Sequence, residues 1–173
     1  MAKRLFDILA AAVGLLLLIP VFAAAACFVY CSDPGPVLYR ARRCGVGGRP
    51  FTMFKFRTMR VAPQQGSVIT AHRDARVFFA GRVLRALKID ELPQLWNVLK
   101  GDMSLVGPRP HAVNQKLDDR KFDEAVDGYF ARHRVKPGIT GWAQISGWRG
   151  EITSPDAIKN RVEHDLYYIE NWS

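Results

Sequence analysis

Cysteine is scarce in this sequence, with only Cys27, Cys31 and Cys44 among 173 residues. Their number is odd, and their spacing matches neither a zinc site nor a disulfide framework. The four histidines also lack the spacing of metal ligands, which favours structural roles for them. No internal repeat or low-complexity segment is present. The length fits one domain with its own core, so we expect a single catalytic unit in a reducing compartment.

Acidic residues are nearly absent from one stretch of the chain. Residues 34–88 hold twelve basic residues and one acidic residue, Asp74, whereas residues 89–173 hold eleven basic and thirteen acidic residues. The net charge of +9 therefore arises in the basic stretch. Such a band suits the phosphates of a small ligand, of anionic lipid headgroups or of nucleic acid. The alternative is a solvated basic face without a ligand.

Charge is also absent from the 24 residues between Ile8 and Cys31. As a helix this run would be roughly 36 Å long, enough to cross a bilayer. Pro20 interrupts the run near its midpoint and is expected to bend the helix. Basic residues flank both ends, with Lys3 and Arg4 before the run and three arginines after it, and such residues prefer the cytoplasmic side.

These features predict a re-entrant membrane hairpin over residues 1–33 and a cytoplasmic catalytic domain over residues 34–173. A straight transmembrane span is an alternative. A second alternative is a secretory signal, because Ala24, Ala25 and Ala26 precede Cys27 much as in a lipoprotein cleavage site. The apolar run continues past Cys27, which argues against cleavage.

The rest of the chain predicts an α+β fold that is mainly helical, with a short β element. Strands are expected at residues 37–39 and 51–57, separated by a turn at 45–50. An amphipathic helix is expected from Asp74 to Ile89, and a second helix from about Asn114 to His133. Residues 135–144 are too rich in glycine and proline for a helix. A last helix is expected to begin at Ser154. Amphipathic helices of this domain are expected to lie at the membrane interface.

Adjacent carboxylates at Asp90 and Glu91 are the first candidate for chemistry. Two ionised carboxylates repel each other unless a divalent cation, most naturally Mg²⁺, lies between them and a phosphate. An aspartate can also act as a covalent nucleophile at phosphorus. Arg109 lies between Pro108 and Pro110, which fix the backbone around a side chain suited to bidentate phosphate binding. A bare Asp-Glu pair is nevertheless common at helix ends.

Four segments together resemble the bacterial sugar transferases, the monotopic phosphoglycosyl transferases. The first is Lys55-Phe56-Arg57-Thr58-Met59 and the second is Asp90-Glu91-Leu92-Pro93-Gln94. The third runs from Asn97 to Pro110, and the fourth is Lys136-Pro137-Gly138-Ile139-Thr140-Gly141-Trp142. The resemblance extends from the basic and apolar N-terminus to Tyr168. It therefore covers nearly the whole chain.

The resemblance implies transfer of a sugar 1-phosphate from a UDP-sugar to a polyprenyl phosphate such as undecaprenyl phosphate, with release of UMP. Asp90 takes the position of the family's nucleophile and Glu91 that of its partner, with Mg²⁺ at the pair. Lys55, Arg109 and Asp165 occupy positions tied to the family's active site. The mechanism implied is ping-pong, through a covalent aspartyl phosphosugar intermediate. The implied location is the cytoplasmic face of the bacterial inner membrane, and the pathway is exopolysaccharide or glycoconjugate synthesis.

Three further residues are expected to contact phosphates on the basis of charge. Arg57 shares a strand face with Lys55, and Arg82 and Arg85 form a basic i, i+3 pair on the helix before Asp90. The segment Gly147-Trp148-Arg149-Gly150-Glu151 resembles the subgroup that transfers a hexose phosphate. Whether Trp142, Trp148 and Trp172 are interfacial anchors or core residues is open. Self-association of the chain is also open.

The sequence departs from the family pattern in two respects. Many relatives have Ser-Pro at the bend, where this chain has Ile19-Pro20. Larger relatives carry transmembrane helices and a further domain before this module, so we expect either a small family member or the catalytic module of a longer protein. The rival function is a non-enzymatic adaptor that binds anionic lipid. No aromatic and basic nucleic-acid motif is present, so nucleic acid is not an expected partner.

Overall fold

The computed structural model describes residues 2–60, 74–113, 116–117, 120–122, 126, 128–150 and 154–172. Contacts divide the chain into two compact units. Unit 1 comprises residues 1–41 and 53–99, and unit 2 comprises residues 42–52 and 100–173. The mixture of helices and small sheets agrees with the expected α+β class. The division into a membrane hairpin over residues 1–33 and a catalytic domain over residues 34–173 stays a prediction.

The apolar run forms two helices, α1 (Ala2–Leu17) and α2 (Ile19–Ser32). They are bent by 61° at the break between them. Pro20 lies in the first turn of α2, where its missing N–H does not remove a helical hydrogen bond. The predicted bend at Pro20 is therefore confirmed. Across the described part of the chain, no single helix is long and apolar enough to cross a membrane, although α1 and α2 pass that test together.

A hairpin follows, with strands β1 (Leu38–Cys44) and β2 (Pro50–Phe56). Its strands are divided between the units, since unit 1 takes residues up to 41 and from 53 onward. The hairpin confirms the two predicted strands and lengthens the first. A short 3-10 helix, Val46–Gly48, forms its tip, and Gly47 has a positive φ of 62° there.

Helix α3 (Phe79–Ala86) is shorter than the helix predicted from Asp74 to Ile89. Before it, Oδ1 of Asp74 accepts a hydrogen bond of 2.9 Å from the backbone N–H of Arg76, and Met59 and Val77 form an antiparallel bridge. These contacts hold residues 74–77 in a turn and a bridge. After α3, Lys88 adopts a left-handed conformation with φ of 60°, which ends the helix.

The core of unit 1 lies between α2, β2 and α3. Its buried side chains are Ala25, Val29, Phe56, Phe78, Ala80 and Leu84. A 3-10 helix, Ile89–Glu91, and helix α4 (Gln94–Lys100) follow α3. The guanidinium of Arg4 donates to the carbonyl oxygens of Val98 and Leu99 at 2.6 and 3.0 Å, which caps the C-terminal end of α4. Helix α1 is therefore attached to the element that follows the acidic pair.

Unit 2 contains a parallel pair of strands, β3 (Ser104–Val106) and β6 (Gly138–Thr140). Ser104 pairs with Gly138, and Val106 pairs with Thr140. A Cβ at Gly107 would lie 2.5 Å from the carbonyl oxygen of Lys136, so only glycine permits this approach. The close packing fixes the backbone where Pro108-Arg109-Pro110 begins.

The helix predicted from about Asn114 to His133 is wrong at most of the residues that the structure describes there, although Phe122 is helical. Strands β4 (Lys116–Leu117) and β5 (Arg120–Lys121) pair antiparallel, and Tyr129–Arg134 form a 3-10 helix. Phe122 and Tyr129, two apolar residues of the predicted helix, are buried with Ile158 and Val162, whereas Phe130 is exposed. Packing against the last helix therefore overrides the helical period of this segment.

Two helices end the chain, α5 (Trp142–Ile145) and α6 (Pro155–Trp172). The expectation of no helix at residues 135–144 is wrong at its end, because α5 begins at Trp142. The predicted start of α6 is confirmed, since Oγ of Ser154 accepts a hydrogen bond of 3.2 Å from the backbone N–H of Ala157. Helix α6 brings Asp165, at 1% exposure, into the interior of unit 2.

Candidate active site

Asp90 and Glu91 lie in the 3-10 helix that directly follows α3 in unit 1. The left-handed Lys88 turns the chain sharply, and α4 begins three residues after Glu91. Asp90 is 8% exposed, so its carboxyl group has lost most of its water. Residues of this 3-10 helix are therefore held at fixed positions between two packed helices, as a catalytic group requires.

The charges around Asp90 act in opposite directions. Burial raises the pKa of the Asp90 carboxyl, and the neighbouring Glu91 raises it further. Lys55 lowers the pKa more than Glu91 raises it, and Arg85 and Lys88 lower it to a smaller extent. Burial outweighs the cations, so the pKa of Asp90 is above its ordinary value. The result is a poorly solvated carboxylate close to cationic groups, as expected of a reactive aspartate.

Lys55 forms an ion pair with Glu91, with 2.7 Å between Nζ and Oε1. Both side chains are about one-sixth exposed, at 17% and 16%. The strand that carries Lys55 is fixed by Asn97, whose Oδ1 accepts a hydrogen bond of 3.0 Å from the backbone N–H of Phe54. Asn97 is fully buried on α4. The structure thus brings together Lys55, Asp90 and Glu91, as predicted.

Arg85 also lies near this group. Its Nε donates to Oγ1 of Thr58 at 2.8 Å, and its charge lowers the pKa of Asp90. Arg82 is exposed on α3, with its guanidinium 5.9 Å from the ring centroid of Phe79. Phosphate binding by Arg85 or Arg82 stays a prediction.

Arg57 makes most of its contacts with the segment that leaves α2. It is 4% exposed, and its guanidinium donates to the Asp33 carboxylate, the Asp33 carbonyl oxygen and the Pro36 carbonyl oxygen. The guanidinium also lies 5.5 Å from the ring centroid of Phe78. These contacts tie the end of the apolar helices to β2. A phosphate contact by Arg57 stays a prediction.

The acidic pair supplies part of a site for Mg²⁺. Where the structure describes the chain, no group of three or more Asp, Glu, His or Cys side chains could enclose a metal ion. Mg²⁺ in phosphate-handling enzymes commonly uses one or two carboxylates together with substrate phosphates and water. Asp90 and Glu91 offer such hard oxygen ligands side by side. They therefore fit an ion that binds together with a diphosphate, and Mg²⁺ stays a prediction.

In unit 2, Asp165 forms a buried ion pair with Arg132. The Nε and Nη2 atoms of Arg132 both donate to Oδ2 of Asp165, at 3.0 and 2.6 Å. Their side chains are 1% and 2% exposed. Burial raises the pKa of Asp165, and Arg132 acts against that effect. Arg132 also donates to the carbonyl oxygen of Arg109 at 2.8 Å, so the predicted residues Arg109 and Asp165 are joined through a residue that was not predicted.

His111 extends this network. Its Nδ1 lies 2.8 Å from Nη1 of Arg132 and 2.7 Å from the hydroxyl of Tyr129. Because a guanidinium only donates, Nδ1 must be the unprotonated nitrogen, and the neutral ring carries its proton on Nε2. Burial, followed by the charge of Arg132, lowers the pKa of His111 well below its ordinary value. This agrees with a neutral ring and with the structural role expected for it.

Sequence reasoning missed Arg132 and Asn97 as residues that organise these groups. Arg132 contacts Asp165, which lies 33 positions along the chain, and Asn97 contacts Phe54 across 43 positions. Local patterns carry no such information. The signal that could have indicated Arg132 is a charged residue directly after the apolar residues Tyr129 and Phe130.

Comparison with known proteins agrees with the resemblance to the bacterial sugar transferases. The family described as "Bacterial sugar transferase" matches residues 1–173. The chain is 48% identical to the UDP-glucose:undecaprenyl-phosphate glucose-1-phosphate transferase of Escherichia coli (strain K12), over 99% of this chain and 36% of that protein. It is 44% identical to the UDP-N-acetylgalactosamine-undecaprenyl-phosphate N-acetylgalactosaminephosphotransferase of Aeromonas hydrophila, over 99% of this chain and 40% of that protein.

A shorter relative is the exopolysaccharide production protein PSS of Rhizobium leguminosarum bv. phaseoli. It is 40% identical over 99% of this chain and 86% of its own length. The chain thus spans little more than a third of the length of the Escherichia coli relative and most of the Rhizobium protein.

Proposed function

Because this chain belongs to the bacterial sugar transferase family, we propose that it transfers a sugar 1-phosphate from a UDP-sugar to a polyprenyl phosphate and releases UMP. The observation that carries the proposal is the buried Asp90 beside Glu91, with Lys55 paired to Glu91 at 2.7 Å. The family match and the names of the relatives support the same reaction. The product would be the lipid-linked sugar that begins exopolysaccharide or glycoconjugate synthesis.

Asp90 is the proposed nucleophile of a two-step reaction. A carboxylate oxygen of Asp90 attacks the phosphorus that bears the sugar, and the bond from that phosphorus to the bridging oxygen breaks, so UMP leaves. An oxygen of the polyprenyl phosphate then attacks the same phosphorus, and Asp90 leaves as a free carboxylate. Low solvation of Asp90 favours attack, because little water has to be removed from the carboxylate first.

Positive charge is needed because nucleophile and substrate are both anionic. Lys55, Arg85 and Lys88 act electrostatically on Asp90 and would offset this repulsion. Lys55 also orients Glu91 through their ion pair. Mg²⁺, if bound by Asp90 and Glu91, would neutralise charge on the diphosphate. Direct contact of Arg109 with a phosphate is proposed from its position between two prolines and from the family resemblance.

Glucose is the proposed sugar. The Escherichia coli relative is named for glucose 1-phosphate and the Aeromonas relative for N-acetylgalactosamine. The two identities, 48% and 44%, differ too little to decide between these sugars. The resemblance of the segment from Gly147 to Glu151 to the hexose-phosphate subgroup supports glucose over N-acetylgalactosamine.

We further propose that α1 and α2 form a re-entrant hairpin in the cytoplasmic leaflet of the inner membrane. Their 61° bend and the basic residues at both ends support this arrangement. Large apolar side chains are exposed along them, including Leu5, Phe6, Leu9, Leu16 and Leu17. Thiol labelling of Ala2→Cys and Pro34→Cys should succeed for both from the cytoplasmic side. Labelling of position 2 from the periplasm would contradict the hairpin.

The reaction itself is tested with the purified full chain in micelles, Mg²⁺, undecaprenyl phosphate and a panel of UDP-sugars. UMP and lipid-linked sugar should appear together, and Asp90→Asn should abolish both. Asp156→Asn, an exposed aspartate in the first turn of α6, is the matched control and should remain active. If no UDP-sugar yields UMP while the protein still binds anionic liposomes, the membrane adaptor becomes the better account.

A further inference from the structure

Helix α1 has its large apolar side chains on the outside. Leu9 and Leu16, for example, are exposed at 56% and 67%. The opposite face carries small or polar residues at helical spacing, and we call it the inward stripe: Arg4, Asp7, Ala11 and Gly14. Asp7 and Ala11 are buried, and Arg4 and Gly14 are half-buried. Small residues allow close approach of another element, so the inward stripe is the face with which α1 contacts the rest of unit 1.

Both ends of the inward stripe contact α4. At one end, the guanidinium of Arg4 donates to the carbonyl oxygens of Val98 and Leu99 at 2.6 and 3.0 Å. At the other end, a Cβ on Gly14 would lie 3.3 Å from Cδ1 of Leu95, so the α1 backbone and this side chain are closely packed. Helix α1 therefore contacts α4 at both the first and the last turn of α4.

Arg4 is placed unfavourably for α1 itself. It lies in the first turn, where the positive end of the helix dipole repels a cation. The last carbonyl groups of α4 carry the opposite partial charge and lack donors within the helix, so the guanidinium stabilises α4 instead. A preference for the cytoplasmic side accounts for any cation before the apolar run. It does not account for the two hydrogen bonds that Arg4 donates to α4.

Helix α4 is in turn continuous with the acidic pair. Between the 3-10 helix and α4, backbone N–H groups donate to carbonyl oxygens three residues back, in the bonds Leu92 to Ile89, Leu95 to Leu92 and Trp96 to Pro93. A displacement of α4 would therefore move Asp90 and Glu91 as well. Asn97 of α4 also accepts a hydrogen bond from the backbone N–H of Phe54, the residue before Lys55. Helix α4 thus links α1 to all three residues of the candidate site.

We propose that Arg4 is a positioning residue for the reaction, because it holds α4 where Asp90, Glu91 and Lys55 have the geometry needed for attack on phosphorus. The inference rests on the proposed function for the reaction itself. Arg4 acts through α4 and not on the substrate. The apolar hairpin is then a part of the catalytic machinery and not only an anchor. The sequence indicated Arg4 only as a cation beside the apolar run.

The test compares Arg4→Met with Lys3→Met in the full chain. Both variants lose one positive charge from the same turn, so the preference for the cytoplasmic side weakens equally, and only Arg4→Met removes the two bonds to α4. At saturating UDP-glucose and undecaprenyl phosphate in micelles, Arg4→Met should lower kcat by about tenfold, because small displacements of reacting groups slow reactions to this extent or more. KM should change less than kcat. Lys3→Met should keep the wild-type rate.

A conservative variant and two further measurements separate positioning from other effects. Arg4→Lys retains a cation that can donate to the same carbonyl groups, and it should restore most of the rate. Hydrogen exchange of residues 89–99 should be faster in Arg4→Met, whereas exchange of α6 should be unchanged. Thiol labelling of Ala2→Cys in the Arg4→Met background, with the native cysteines replaced by serine, should still succeed from the cytoplasmic side.

The proposal is overturned if Arg4→Met is as active as Lys3→Met. It is also overturned if position 2 becomes accessible from the periplasm, because reversed insertion then explains the loss, or if exchange is faster throughout the chain, because general destabilisation then explains it. If the wild type transfers no sugar, the proposed function fails. Faster exchange confined to residues 89–99 in Arg4→Met would then still support Arg4 as the residue that holds the acidic pair, and unchanged exchange would overturn that role.

Discussion

Two buried aspartates, one in each unit, have opposite surroundings. In unit 2, Oδ2 of Asp165 accepts two hydrogen bonds from Arg132, and this pair is almost completely shielded from solvent. In unit 1, Asp90 has neighbouring cations that act on its charge, while Lys55 makes its ion pair with Glu91 instead. A buried carboxylate that is hydrogen-bonded to an arginine is suited to a structural role. A poorly solvated carboxylate with cations nearby is suited to attack phosphorus.

From this contrast we first expect that breaking the Arg132–Asp165 ion pair of unit 2 lowers the stability of the protein. Arg132→Met leaves Asp165 buried without its hydrogen-bonded partner, which should lower the free energy of unfolding by about 3–5 kcal/mol. Denaturant titration of the full chain in micelles measures this change. The double variant Arg132→Met with Asp165→Leu should recover part of the loss, because no buried charge remains. Arg134→Met is the exposed control. A loss no larger than that of the control would show that the pair carries little stability.

Breaking the Lys55–Glu91 ion pair of unit 1 should lower the rate of the reaction more than the stability of the protein. Lys55→Met removes a charge that supports Asp90 and orients Glu91, and kcat/KM should fall about a hundredfold, or about 2.7 kcal/mol. The melting temperature should change little, because the pair is partly exposed. Lys100→Met, which breaks the more exposed pair with Asp102, should leave both quantities unchanged. Equal losses of rate and melting temperature would instead assign Lys55 a structural role.

A smaller effect is expected for the stability of Asp90→Asn. Burial raises the pKa of Asp90 in the folded protein above its unfolded value, so its ionisation opposes folding. This cost is absent below the unfolded pKa and complete above the folded pKa. Asp90→Asn should therefore unfold at a higher temperature than the wild type near pH 7, and the difference should vanish as the pH falls towards 4. A variant less stable than the wild type at pH 7 would contradict the account of Asp90.

The sequence predicted the features that depend on neighbouring residues. Pro20 was expected to bend the apolar run, and Ser154 to cap the last helix, because both effects act within one helical turn. The acidic pair and Lys55 were predicted together only through the family resemblance. No local pattern links residues 36 positions apart.

The errors arose where distant contacts decide the structure. The helix expected from about Asn114 failed because Phe122 and Tyr129 pack against α6, and a 3-10 helix at residues 129–134 serves that packing. The helix before Asp90 was predicted too long at both ends, since Asp74 closes a turn and Lys88 adopts a left-handed conformation. Arg132 was overlooked because its partners lie 21 to 33 residues away.

The central claim is that Asp90 carries the phosphosugar, and it is tested most directly by locating the covalent group. The wild-type chain is incubated with UDP-glucose and Mg²⁺ without lipid acceptor, quenched in acid, digested and examined by tandem mass spectrometry. The account predicts a hexose phosphate on Asp90 that disappears when undecaprenyl phosphate is added before quenching. A hexose phosphate on another residue, or product formation without any adduct, would contradict it.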